Sequence, residues 1–201
     1  MRIFGLIVAL AAFVAPAQAA LLTYSFNGDA NAVVNPATAG TASSYGSGGQ
    51  LGIGSQAGQW VLAGLSTPRN SGFSFTAGAL PLFLGDLKVN GRRNSTQAGT
   101  SAVVEVFYNI GALNTGLSGT SLGVNTLTGS FNSFPFSLNE TLQAGQKIWF
   151  TIRASSTNGY SGTVSYDFVT LDGDVVPEPT SMAVFGLLGA GVAARRIRRK
   201  A

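Results

Sequence analysis

From Leu22 onward, large apolar residues fall at every second position in short runs. Leu22, Tyr24 and Phe26 alternate with Thr23 and Ser25, and Phe73 and Phe75 alternate with Ser74 and Thr76. Val104, Val106, Tyr108 and Ile110 share one side of an extended chain, with Glu105 and Asn109 on the other. Ile148, Phe150, Ile152 and Ala154 alternate with Trp149, Thr151 and Arg153, and Val164, Tyr166, Phe168 and Thr170 alternate with Ser165, Asp167 and Val169. Period-two runs of β-branched and aromatic residues are half-buried strands. Further strands are expected near Gln59–Leu65, Leu82–Val89, Leu122–Thr128 and Ser133–Leu138. Asn90-Gly91, Asn158-Gly159 and Asp172-Gly173 read as tight turns, because such pairs supply positive φ. Asn31 to Gly49, rich in small residues, reads as a mobile loop or loosely held edge. The pattern predicts an all-β fold, an antiparallel β-sandwich of jelly-roll type.

The two ends break this pattern. Met1-Arg2 precedes an apolar run from Ile3 to Val14, Pro16 ends it, and Ala17-Gln18-Ala19 puts small residues before a cleavable bond. This is the layout of a secretory signal peptide over residues 1–19, cut by signal peptidase between Ala19 and Ala20. At the other end Pro177-Glu178-Pro179 precedes an uncharged apolar stretch from Thr180 to Ala194, and Arg195, Arg196, Arg198, Arg199 and Lys200 follow. Proline fixes φ and keeps the residue before it extended, so the elbow stays open to an enzyme. The apolar stretch is expected to enter a bilayer as a short transmembrane helix, with the basic cluster as a membrane stop on the cytoplasmic side. Ser181 to Ala194 would span about 21 Å as a helix, against a hydrocarbon core of about 30 Å. A span that short, loosened by Gly186, Gly189 and Gly191, suits a transient substrate better than a lasting anchor.

Elbow, helix and basic stop, in that order over residues 175–200, resemble the PEP-CTERM sorting domain of Gram-negative bacteria. The same kind of tail also goes by the name ice-binding protein C-terminal domain, which describes the tail and no activity. The resemblance implies an exported protein whose tail is recognised at Pro177, Glu178 and Pro179 and removed by exosortase, a membrane transpeptidase. Gly162 to Gly173 resembles, loosely, the last strand of jelly-roll domains of the galactose-binding type, with Phe168 where those have asparagine. That likeness bears on architecture alone.

Removing both ends reverses the electrostatics. The chain carries twelve cations against eight acids, for a formal net charge of +4. Half of the cations are Arg2 and the five between Arg195 and Lys200, so the exported body, Glu178 included, is about −2. Nucleic-acid binding loses its support, since a phosphate-tracking surface needs a cationic excess. The body, residues 20–174, is long enough for one core. With no cysteine it has no disulfides, and with no histidine it has neither a Ser-His-Asp nor a Cys-His nucleophile. Zinc sites of the usual kind are excluded as well, and no cofactor is expected.

The remaining candidates are few. Asp167, Asp172 and Asp174 are the densest group of acids, and read as a turn and the solvated start of the linker in preference to a calcium site. Glu140 could pair with Asp167 or Glu105 as a glycosidase does, but its Asn-Glu-Thr context is that of an ordinary turn acid. Trp149 shares a face with Thr151 and Arg153, which is either a glycan-contact platform or a covered core position, the core reading being preferred. Trp60 shares a face with Leu62 and reads as core. Arg92-Arg93 reads as a solvated knob after the Asn90-Gly91 turn, with contact to an acidic exopolysaccharide as the alternative. The threonines of Thr115 to Thr128 follow no fixed spacing, so no flat threonine ladder is implied.

The expectation is an exported, non-enzymatic protein that passes transiently through the inner membrane, with its C-terminus cytoplasmic, to the cell surface or extracellular matrix. A carbohydrate-binding module associated with exopolysaccharide is the alternative. A carboxylate-dependent enzyme acting on polysaccharide ranks last.

Overall fold

The computed structural model describes residues 19–44, 46, 49–52, 56–94, 100–111 and 119–176. Residues 1–18 of the expected signal peptide, the Pro-Glu-Pro segment, the apolar stretch expected to cross the membrane and the basic cluster lie outside them. Among the described residues no helix is long and apolar enough to cross a membrane.

The elements are β1 (Ala19–Tyr24), β2 (Ala32–Val34), a 3-10 turn (Pro36–Thr38), β3 (Thr41–Ala42), β4 (Gln50–Leu51) and β5 (Trp60–Leu62). They continue with β6 (Arg69–Thr76), β7 (Leu82–Arg93), β8 (Ala102–Ile110), β9 (Thr120–Leu127), β10 (Asn132–Leu142), β11 (Lys147–Ser156) and β12 (Val164–Val175). Two antiparallel sheets form. One has seven strands in the order β10-β7-β12-β1-β2, with β5 on the first residues of β12 and β4 on β5. The other has five, β3-β6-β11-β8-β9. The fold is thus the antiparallel β-sandwich that the alternation predicts.

The inner faces meet in one apolar core. Leu84, Leu87, Val89, Tyr166, Val169 and Leu171 come from the first sheet, and Phe73, Phe75, Val104, Ile148, Phe150 and Ile152 from the second. Phe73 bridges, with its ring 4.8 Å from Tyr24 and 4.9 Å from Phe150. Each such side chain removed from water stabilises the fold by roughly 1.5–3 kcal/mol, and no disulfide contributes. Trp60 and Leu62 are core, as their spacing suggested.

Three local readings are corrected. Asn90-Gly91 is no turn, because both residues lie within β7, where a Cβ on Gly91 would come within 2.8 Å of the Tyr166 ring. Asp172-Gly173 likewise lies within β12, where a Cβ on Gly173 would meet the Phe83 carbonyl oxygen at 2.1 Å. Both glycines serve close approach, not chain reversal. Asn158-Gly159 does lie at a bend between β11 and β12, with Gly159 at φ 70°. The alternation of β12 is also interrupted. The ladder shifts between Tyr166 and Phe168, so Val169 and Leu171 are fully buried while Phe168 faces outward. Finally, the small-residue stretch after Asn31 supplies an edge strand to each sheet, β2 and β3, joined by the 3-10 turn that Asn35 caps through Ala37 N at 3.0 Å.

Candidate functional site

The last strand leads directly to the elbow. Val175 lies opposite Leu82 in the β7–β12 ladder, and the Val176 amide donates to the Pro81 carbonyl at 2.9 Å. Pro177 is the next residue, so no spacer separates the sheet from the elbow. Beside it β1 begins, with Ala19 opposite Gly173 and Ala20 opposite Asp172. Both ends of the body leave the sandwich from neighbouring strands of one sheet.

Trp149 and Arg153 lie on the outer face of the five-stranded sheet. In the ladders Trp149 is opposite Ser74 and Asn109, and Arg153 is opposite Asn70 and Glu105. Arg153 pairs with Glu105 at 3.6 Å, and Lys147, two positions before Trp149, places its Nζ 4.4 Å from the indole centroid. Trp149 is half-buried, neither part of the inner core nor an open ring, and Ser74, Phe107 and Thr151 around it are buried. A flat aromatic platform needs a free ring face, and here a lysine ammonium occupies one side. Lys147 was legible as a neighbour, since residues two apart on a strand share a face, but the sequence reading did not use it.

The acids do not gather. Asp172 is buried on β12 and binds Lys88 of β7, with Nζ 2.6 Å from Oδ2. That hydrogen bond holds the Lys88 ammonium above its usual ionisation range. The turn reading of Asp172-Gly173-Asp174 is therefore replaced by a strand that runs on to Val175. Asp167 is exposed where the ladder shifts, and among the described residues no three potential metal-binding side chains come together.

Glu140 is not a turn acid. It sits on β10 just after a ladder shift, with Asn139 before it at φ 53°. The bent strand turns Glu140 toward the other sheet, where the Tyr108 hydroxyl donates to its Oε1 at 2.6 Å. That bond raises the Tyr108 phenol above its ordinary pKa. The pair borders an open recess of about 270 Å³, shared with Asn109, Ile110, Gly119 and Thr120. Glu105, on the outer face of the same sheet and paired with Arg153, does not share this recess. Asp167 does not line the recess with Glu140 either, so the recess brings neither of the paired acids considered in the sequence to Glu140.

Arg92 and Arg93 are strand residues and not a knob. The Arg92 guanidinium stacks 4.5 Å from the Phe131 centroid, and Arg93 donates to the Thr100 carbonyl.

No curated protein matches this chain. Among solved structures, the CBM22-1 xylan-binding domain of Paenibacillus barcinonensis Xyn10C is similar at a TM-score of 0.42 and 9% identity, over 80% of this chain and 98% of that one. The apo structure of BiXyn10A CBM1 gives 0.40 and 12%, over 76% and 97%. The VP2 subviral particle of infectious bursal disease virus gives 0.34 and 15%, over 68% and 33%. At such low scores the likenesses carry nothing about ligand or role. Residues 175–200 match the family model of the PEP-CTERM protein-sorting motif, so the last strand of the sandwich leads directly into that motif.

Proposed function

We propose that the chain is an exported, non-enzymatic β-sandwich protein sorted through its tail to the cell surface or extracellular matrix. The observation that carries this reading is the sorting motif at 175–200, joined without a spacer to the final strand at Val175. In this reading residues 1–19 are the signal peptide, 20–174 the body and 175–200 the sorting signal. Signal peptidase cuts between Ala19 and Ala20. The apolar helix holds the tail in the inner membrane, with Arg195, Arg196, Arg198, Arg199 and Lys200 on the cytoplasmic side. An exosortase-type transpeptidase then cuts near Pro177, Glu178 and Pro179. Three of the body's acids are engaged in structural contacts, Glu105 with Arg153, Glu140 with Tyr108 and Asp172 with Lys88, which favours a role without catalysis. Mass spectrometry of the protein from its native host, read at both ends, tests the scheme. Wild type should lack the tail, Glu178→Ala should retain it, and identical ends in the two would overturn the sorting role of the elbow.

A second reading concerns glycan contact at Trp149 and Arg153. In its favour, Trp149 stands half-exposed on the outer face with charged and amide neighbours. A sugar ring there would share the indole with Lys147. Affinity electrophoresis through gels containing the host exopolysaccharide tests it. Retardation that disappears in Trp149→Ala supports the contact, and equal mobility of the two proteins removes it.

A further inference from the structure

We infer that removal of residues 1–19 precedes closure of the seven-stranded sheet, and that the order of the strands along the chain enforces this sequence of events. The inference rests on the proposed signal-peptide cut and goes beyond it, to what the fold does to that bond. The Ala19–Ala20 bond is part of β1, where its two residues lie opposite Gly173 and Asp172 of β12. A protease holds its substrate as an extended strand and bonds its backbone, so backbone already in a ladder is reached only through local opening.

What shields the bond arrives last. β12 is the final strand in the chain, yet it sits in the middle of the sheet, paired with β1, β5 and β7. The other partner of β1 is β2, whose ladder covers Leu22 to Tyr24 and stops short of the cleavable bond. From that side, among the described residues, the Asn35 side chain reaches Ala20, donating to its carbonyl at 3.3 Å. Until Val164 and the residues after it have crossed the membrane, the β12 side of β1 has no occupant. The bond stays open during export and closes once β12 docks. Since β12 ends at Val175, the shield completes only when the sorting tail has reached the membrane.

The test uses the full-length precursor, held in detergent micelles and treated with purified signal peptidase. In the double variant Val169→Asp, Leu171→Asp, two fully buried positions of β12 become charged while residues 1–20 stay unaltered. The variant should be cut after Ala19 at least tenfold faster than wild-type precursor that has folded first, with the new N-terminus read by mass. Equal rates overturn the ordering and leave the signal-peptide reading intact. A variant that is never cut between Ala19 and Ala20 overturns the signal-peptide reading and the ordering with it.

Discussion

Gly91 of β7 lies opposite Tyr166 of β12, and the tyrosine ring occupies the space where a side chain at position 91 would go. A Cβ there would stand 2.8 Å from Cδ1 and 3.1 Å from Cε1, with a Leu127 methyl at 3.4 Å. The tyrosine is fully buried, so its ring has little room to yield. Gly91→Ala should therefore destabilise the fold by about 1–3 kcal/mol, the usual range for overpacking. Gly159→Ala, at a bend with φ 70° and nothing within 4 Å, meets only backbone strain and should cost about 1 kcal/mol. Urea denaturation of the two variants checks the order. A Gly91→Ala protein as stable as wild type would mean the ring is not held where it stands.

Alkaline pH should weaken the sandwich through Tyr24. Its ring is buried between the sheets and its hydroxyl donates to the Ser43 carbonyl at 2.5 Å. Burial pushes the phenol well above its ordinary pKa of 10.0. A folded-state pKa raised in this way contributes stability that is complete below the unfolded value. It is lost as pH rises through and beyond about 10, where the unfolded chain ionises and the folded chain does not. Tyr108 and Lys88 are raised too, by Glu140 and Asp172 respectively, and act in the same direction. The urea midpoint should stay level from pH 7 to 9 and fall above about 10, and Tyr24→Phe should lessen the fall. A drop of equal size in Tyr24→Phe would assign it to other groups.

Strands such as β8 and β11 were legible because one face of each is buried, which imposes period two on the residues that fill it. Ile148, Phe150 and Ile152 with Trp149 on the reverse, or Val104 and Val106 with Glu105 on the reverse, needed nothing more. What the alternation could not carry was contact between segments far apart in the chain. Asn90-Gly91 and Asp172-Gly173 have the composition of turns, yet the glycines are there for a tyrosine ring and a carbonyl on neighbouring strands. Lys88 and Asp172 are separated by most of the body before the ladder brings them together. The Tyr108–Glu140 bond was missed for the same reason, although Asn139 is a residue type that tolerates positive φ and could have marked the bend. The sorting tail was legible because its signal is local, three chemically distinct pieces in a fixed order.

The shift at Asp167 allows a sharper test, because strict alternation and the structure assign opposite faces to the end of β12. With strict period two from Val164, Phe168 and Thr170 would point inward and Val169 outward. The ladder instead pairs Tyr166 with Gly91 and Phe168 with Asn90, consecutive residues on β7, so Asp167 is the extra residue of a bulge. Beyond it Val169 and Leu171 enter the core with no exposed surface, and Phe168 and Thr170 look outward beside Lys88 and Thr23. Val169→Thr keeps the shape but buries a hydroxyl among apolar side chains, and should cost about 1–3 kcal/mol. Phe168→Thr removes a larger side chain from a half-exposed position and should cost less. Deletion of Asp167 would force the strand to slip or to turn its apolar residues outward, and should be worse than either substitution. Thermal unfolding of the three variants separates the two assignments: a Phe168→Thr protein less stable than Val169→Thr would restore strict alternation and remove the bulge.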